Sequence, residues 1–364
     1  MILIGTLTQS LLYLCFAILV GTFILSLVPG NKKPEIHVPK WVLLTAIGGI
    51  GLFSFFPVWE LILYLKQNIG LSFSLLQSVL LTFEVGKAWL VTYLLATLLF
   101  LYVIWVDYRK RPSYALIGLL FALFLILALG WSSHASTYDP VVGFMSHSLH
   151  FTAVSIWVGI LFMVSWFSIN HANWSRFLKW YTPVAILCFL STIITGLVLM
   201  TFVVEFNDYF NSWMLPYGQS LLMKHLLIIP LFIYAMVNGF FVKKKLLHDE
   251  HYNPKPWAKL ESVVILLIFA ATAAMGQQAP PHETVVTIEG ASKLFMMLYQ
   301  GDFQPSMTVQ LELNSVSISL IILAVLFIVL LLMSFVKKTP AFVSFLMSAL
   351  LFVCLYFSII FSIN

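Results

Sequence analysis

Charge is what this sequence has least of. Asp, Glu, Lys and Arg make up 9% of its 364 residues, where a soluble chain carries roughly a quarter. With 61% hydrophobic residues, that scarcity excludes an ordinary soluble domain. Cysteine is equally scarce. Cys15, Cys188 and Cys354 stand alone inside apolar runs, so there is no C-x-x-C pair and no disulfide framework, and they read as small core hydrophobes. Also missing are a Walker A loop, a kinase or P-type ATPase phosphorylation motif and an H-E-x-x-H zinc motif. No G-x-S-x-G or paired-carboxylate signature suggests hydrolysis, and no loop is long enough to hold an energy-coupling domain. The chain is therefore not expected to be an enzyme, although electron transfer stays open. The net charge of +5 does not call for nucleic acid, because surplus Lys and Arg in such a chain set topology.

What is present is apolar length. Stretches of about 20 apolar residues span a bilayer as helices, and ten occur, near 5–28, 41–63, 86–106, 114–131, 143–168, 180–204, 217–242, 258–276, 315–336 and 341–362. The fold class is all-α, a polytopic membrane helix bundle embedded in lipid. The first run lacks a basic leader and a small-residue cleavage site, and reads as a retained helix. Leu71–Val85 reads as a separate surface segment, with Gly86 breaking it from the third helix. Of the 19 Lys and Arg, 15 fall on alternate loops. The positive-inside rule makes those loops cytoplasmic and both termini extracytoplasmic.

A faint repeat runs through the chain. LLYLCFAILVG (Leu11–Gly21) aligns with LHFTAVSIWVG (Leu149–Gly159), and EVGKAWLVTYLLA (Glu84–Ala96) with PYGQSLLMKHLLI (Pro216–Ile228). Helices one to four would recur as five to eight in the same orientation, about an axis along the membrane normal, with two helices added. Where the second half has His150 and His225, the first has Leu12 and Tyr93. The domain reading is a membrane bundle over 1–281, an extracytoplasmic loop over 282–314 and two C-terminal helices over 315–364. Alternation in TVVTIE and SMTVQLEL suggests a small hairpin in that loop.

Ionisable groups inside membrane helices are expensive and point to function. His150 is expected roughly 8–12 Å below the outer end of helix five, and His225 roughly 12 Å down helix seven. His147 lies one turn above His150, near water, as a gatekeeper, and His134 sits at the outer end of helix four. Met145, Met200 and Met223 belong to the same half. Imidazole with thioether suits a soft ion such as Cu(I). The metal candidates are thus His150, His225, His147, His134, Met145, Met223 and Met200. His150 and His225 also match the bis-His ligation of a b-type haem, which would serve electron transfer. Lys224, about 100° from His225 around its helix, reads as snorkelling to the interface. Trp157 reads as packing.

Several stretches in order carry a resemblance: FEVGKAWLVTY; SSHAS; HFTAVSIWVGILF; SRFLKWYTPVAI with Thr195–Gly196; LPYGQSLLMKHLLI with Asn238; and KLESVVILLIFAATAAMGQQAPP. Over about residues 80–281 the chain resembles the CopD family of bacterial membrane proteins, associated with copper resistance and uptake. The resemblance implies a multi-pass protein of the bacterial cytoplasmic membrane that binds copper and mediates its uptake or transfer. His150, Trp157, Arg176, Gly218, Lys224, Glu261 and Pro281 fall in the family's motifs. Unlike fused members, the sequence shows no CopC-like β-domain, so a separate extracytoplasmic copper-delivery protein is the expected partner. Besides the haem reading, a copper-oxidase assembly factor remains an alternative.

Overall fold

The computed structural model describes residues 1–249, 251–284 and 286–364. Among the described residues, ten helices are long and apolar enough to cross a membrane. The helices are α1 (Ile2–Leu27), α2 (Lys40–Phe53), α3 (Phe56–Ile69), α4 (Phe73–Leu81), α5 (Glu84–Trp105), α6 (Pro112–Trp131), α7 (His134–Tyr138) and α8 (Val142–Phe167). They continue with α9 (Trp174–Thr201), α10 (Pro216–Met236), α11 (Val242–His248), α12 (Lys255–Gly276), α13 (Lys293–Leu298), α14 (Ser315–Val336) and α15 (Ala341–Ile360). Helices satisfy every backbone polar group internally, which a bilayer demands. Two compact units form: Leu7–Phe202, and Val203–Asn364 together with Met1–Thr6.

In the N-terminal unit, the core is built from Phe16, Leu19 and Phe23 of α1, Leu43, Ile47 and Ile50 of α2, Leu99 and Val103 of α5, and Leu125 of α6. The expected second helix is broken. Ser54 closes α2, its N–H meeting the Ile50 carbonyl. Pro57 then stands in the first turn of α3, where its missing N–H costs nothing. The segment after α3 is indeed separate. Gly70, at φ 77°, turns the chain, and the Ser72 hydroxyl caps α4 through the Leu75 N–H. Gly86, however, is not the break. The chain turns at Thr82–Phe83, and Gly86 lies inside the first turn of α5. Its role is contact, since a Cβ there would run into the Val79 carbonyl.

Residues aligned by the repeat pack against one another between α1 and α8. A Cβ on Gly21 would strike the Gly159 backbone, and one on Gly159 would strike the Ala17 carbonyl and the Gly21 backbone. These two glycines are the pair aligned in sequence. Ala17 and Ser155 precede them by four residues, so both helices carry the small-xxx-small pattern that permits close helix approach in lipid. Eight residues earlier the aligned Tyr13 and Phe151 rings meet at 5.6 Å. Past the far ends, the His37 N–H donates to Phe167 O at 3.0 Å and the Ile169 N–H to Glu35 O at 2.8 Å. α1 and α8 therefore run parallel along their length. The second alignment holds locally too. Gly218, the partner of Gly86, also sits in the first turn of its helix, where a Cβ would strike the Ser212 carbonyl.

In the C-terminal unit, α14 and α15 form an antiparallel pair meeting through Ala324, Leu351 and Cys354. Trp213, Met214, Leu222, Leu226, Phe295, Val309 and Tyr356 form a second core. The expected hairpin in 282–314 does not form among the described residues, and its first strand includes Val285, which lies outside them. α13 intervenes instead, with Phe295 fully buried. SMTVQLEL turns to the end of α15, where Leu311 bridges to Ile363 and the Glu312 N–H donates to Ser362 O at 2.7 Å.

Candidate functional site

The start of α8 is covered by α7. Ser133 caps α7 through the Ser136 N–H. The Asp139 carboxylate then accepts from the Val141 and Val142 N–H groups, each at 2.9 Å, holding the turn into α8. Gly143 completes the corner, because any Cβ would strike the Ala135 carbonyl. This brings His134, on the exposed side of α7, close enough to His147 to couple electrostatically with it.

His147 is the correction the structure makes to the sequence reading. It was expected near water, yet its Nδ1 is buried and, among the described residues, has no hydrogen-bond partner. Its ring stacks on Phe151 at 6.3 Å with an interplanar angle of 13°. Depth counted from the helix start misplaces it because α7 folds back over that turn. Phe151 in turn meets Tyr13, whose hydroxyl bonds the Gln9 side chain. The spacing of 138 residues that aligns Gly21 with Gly159 also aligns Tyr13 with Phe151 and Gln9 with His147. Tyr13 lies inside the aligned stretch, and extending that stretch by two residues reaches Gln9.

His150 is half-buried on α8, and its Nδ1 lies 3.1 Å from Thr195 Oγ1 on α9. The Thr195 hydroxyl donates to Ser191 O at 2.6 Å, so its oxygen accepts from the imidazole. The tautomer follows: hydrogen on Nδ1, lone pair on Nε2, the arrangement seen when a second partner orients a metal-binding imidazole. Gly196 flanks this contact, with a Cβ meeting His150 Cε1 at 3.3 Å.

His225, in the C-terminal unit, contacts the Tyr209 hydroxyl through Nδ1 at 2.6 Å. Burial holds the Tyr209 phenol above its usual value, so the hydroxyl stays protonated and can bond either tautomer of the ring. Ligation through Nε2 requires the ring hydrogen on Nδ1, donating to the Tyr209 oxygen.

The thioethers divide. Met145 is 51% exposed on α8, Met200 is half-buried near the end of α9, and Met223 packs against the Trp213–Leu222 core of its unit. Trp157 is packing, as expected: it is buried, meets Phe189 edge-on at 5.6 Å, and its carbonyl accepts from Tyr181 at 3.2 Å. Among the described residues, no group of three or more His, Cys, Asp and Glu side chains converges. Within the N-terminal unit, His147 on α8 and His134 on the covering helix α7 are the imidazoles of this corner.

Two family models match the chain side by side. Copper resistance protein D-like, N-terminal domain, covers residues 3–144, and Copper resistance protein D covers 175–275. Most of α8, with His147 and His150, falls between them. The chain is also similar to the copper transport protein CutJ of Bacillus subtilis (strain 168), at 25% identity over 255 residues. That match covers 65% of this chain and 46% of the relative, so the chain spans less than half of CutJ. No solved structure matches. The matched models, the ten membrane-length helices and the ordered motifs lead to one conclusion: the chain is a multi-pass membrane protein that belongs to the CopD family of copper resistance proteins.

Proposed function

We propose that the protein binds copper ions at an outer-leaflet His/Met site and mediates their uptake or transfer across the membrane, rather than transforming a substrate. The observation that carries this reading is His147 Nδ1, buried with no partner among the described residues, under α7, the helix that carries His134. Leaving a buried polar atom unpaired costs about 1–3 kcal/mol, and a bound cation would relieve it. Two imidazoles suit monovalent copper, which accepts few and soft ligands, and Met145, 51% exposed at the start of α8, offers a thioether at the surface of that helix. His150, with its Nε2 lone pair, is the next imidazole along α8. Met200 in the N-terminal unit, and His225 with Met223 in the C-terminal unit, are the remaining candidate ligands. A separate copper-delivery protein would supply the ion.

A second reading, a b-type haem with His150 as an axial ligand, draws support from the hydrogen bond its ring makes through Nδ1 to Thr195, since axial imidazoles are oriented in that way. Copper uptake into vesicles containing the purified protein, together with a visible spectrum, tests both. Flux lost in His147→Phe and a colourless protein support transport. A Soret band lost in His150→Ala and His225→Ala supports haem. Copper binding without flux supports an assembly role.

A further inference from the structure

The C-terminal unit buries a carboxyl group within an apolar helix. Glu261, on α12, is 3% exposed. It stands six residues, about 9 Å, along the helix from Lys255, inside the apolar span. Burying a carboxylate there is costly unless it is paired or neutral. Its partner is Asn238, whose Nδ2 lies 2.8 Å from Glu261 Oε2 and 3.1 Å from the Trp257 carbonyl. Among the described residues, no Lys, Arg or His forms an ion pair with it.

Asn238 belongs to a π-helical turn, Val237–Phe241, between α10 and α11. Such turns interrupt the regular ladder and occur preferentially at functional sites. Both neighbours of Asn238 Nδ2 are oxygens, so the amide presents its two N–H groups to them. Glu261 Oε2 is thereby fixed as an acceptor. A proton on this carboxyl group must lie on Oε1, the oxygen turned away from Asn238.

The surroundings hold little to replace that proton. Lys255 and Lys259 are on α12 itself. From α10 comes Tyr234, whose hydroxyl donates to Ser348 of α15 at 3.3 Å. The π-helical turn contributes no titratable group. Asn238, in the turn that follows α10, lies 13 residues after His225, about 20 Å. Asn238, with the Glu261 carboxyl group it holds, thus stands toward the end of α10 opposite His225.

We propose that Glu261 is a proton-exchange site: a neutral acid at rest, held by Asn238, which releases the Oε1 proton to water as a transported cation crosses and takes one back afterwards. Asn238 is its positioning residue. One proton moves against one monovalent cation, with no redox change. Identifying the cation as copper rests on the function proposed above.

Infrared spectroscopy of the full chain in lipid tests the site without reference to copper. At neutral pH the wild type should show a protonated-carboxyl carbonyl band that is absent in Glu261→Gln and displaced in Asn238→Ala. A wild-type minus Glu261→Gln difference that contains only ionised-carboxylate bands overturns the proposal. In vesicles, one-for-one exchange under a gradient of one pH unit supports an about tenfold copper ratio. Glu261→Gln should lose that ratio and keep its copper binding, and an unchanged ratio overturns the coupling. If wild-type vesicles carry no copper, the transport reading fails, and the infrared band alone decides the proton site.

Discussion

Replacing His147 by Phe should make the metal-free protein more stable and the copper-treated protein less so. The phenyl ring keeps the stack on Phe151 and removes the buried Nδ1 that lacks a partner among the described residues. Relief of that atom is worth about 1–3 kcal/mol, and the slightly larger ring returns about 1 kcal/mol as overpacking. The net expectation is about 1 kcal/mol of added stability without metal. Copper at a hundred times its dissociation constant stabilises a one-site protein by about 2.7 kcal/mol, and only the wild type gains it. The order of stabilities therefore reverses on adding copper, with the wild type ahead by about 2 kcal/mol. Unfolding in detergent followed by fluorescence of the 11 tryptophans measures both differences. A variant less stable than wild type without metal would mean that Nδ1 is satisfied and His147 is structural. Equal copper stabilisation of the two proteins would remove His147 from the site.

Three further outcomes follow from the packing. Gly159→Ala places a methyl group against the Ala17 carbonyl, which cannot rotate away, and should cost about 2–3 kcal/mol in detergent unfolding, whereas Gly30→Ala, with open space around it, should cost far less. Thr195→Val removes the acceptor of the His150 Nδ1–H and should cost about 1–3 kcal/mol, with a changed imidazole tautomer visible by nitrogen NMR. Single cysteines at Asp302 and Asn253 test the orientation set by the basic loops. A membrane-impermeant thiol reagent should label the first in intact cells and the second only after permeabilisation, and the reverse pattern would invert the topology.

The ten spans were legible because lipid imposes a length of apolar sequence that few other environments require. The aligned glycines Gly21 and Gly159 meet in the structure, because two helices can approach closely only where both are small. What composition could not show was the third dimension at helix starts. Gly86 read as a breaker because glycine usually is one, while its actual role is to admit the Val79 carbonyl. SMTVQLEL has strand character, but its backbone partner is the distant end of α15. His147 looked wet because nothing in the sequence says that α7 lies back over α8. Thr195 and Tyr209, which hydrogen-bond the two imidazoles, lie 45 and 16 residues from the rings they touch, beyond any local pattern.

Copper K-edge absorption of the copper-loaded protein tests the central claim most directly. The account predicts a low-coordinate monovalent ion bound by two imidazole nitrogens, with the imidazole scattering lost in His147→Phe and halved in His134→Ala. A spectrum that is unchanged in His147→Phe, or that contains no imidazole scattering in the wild type, would contradict it.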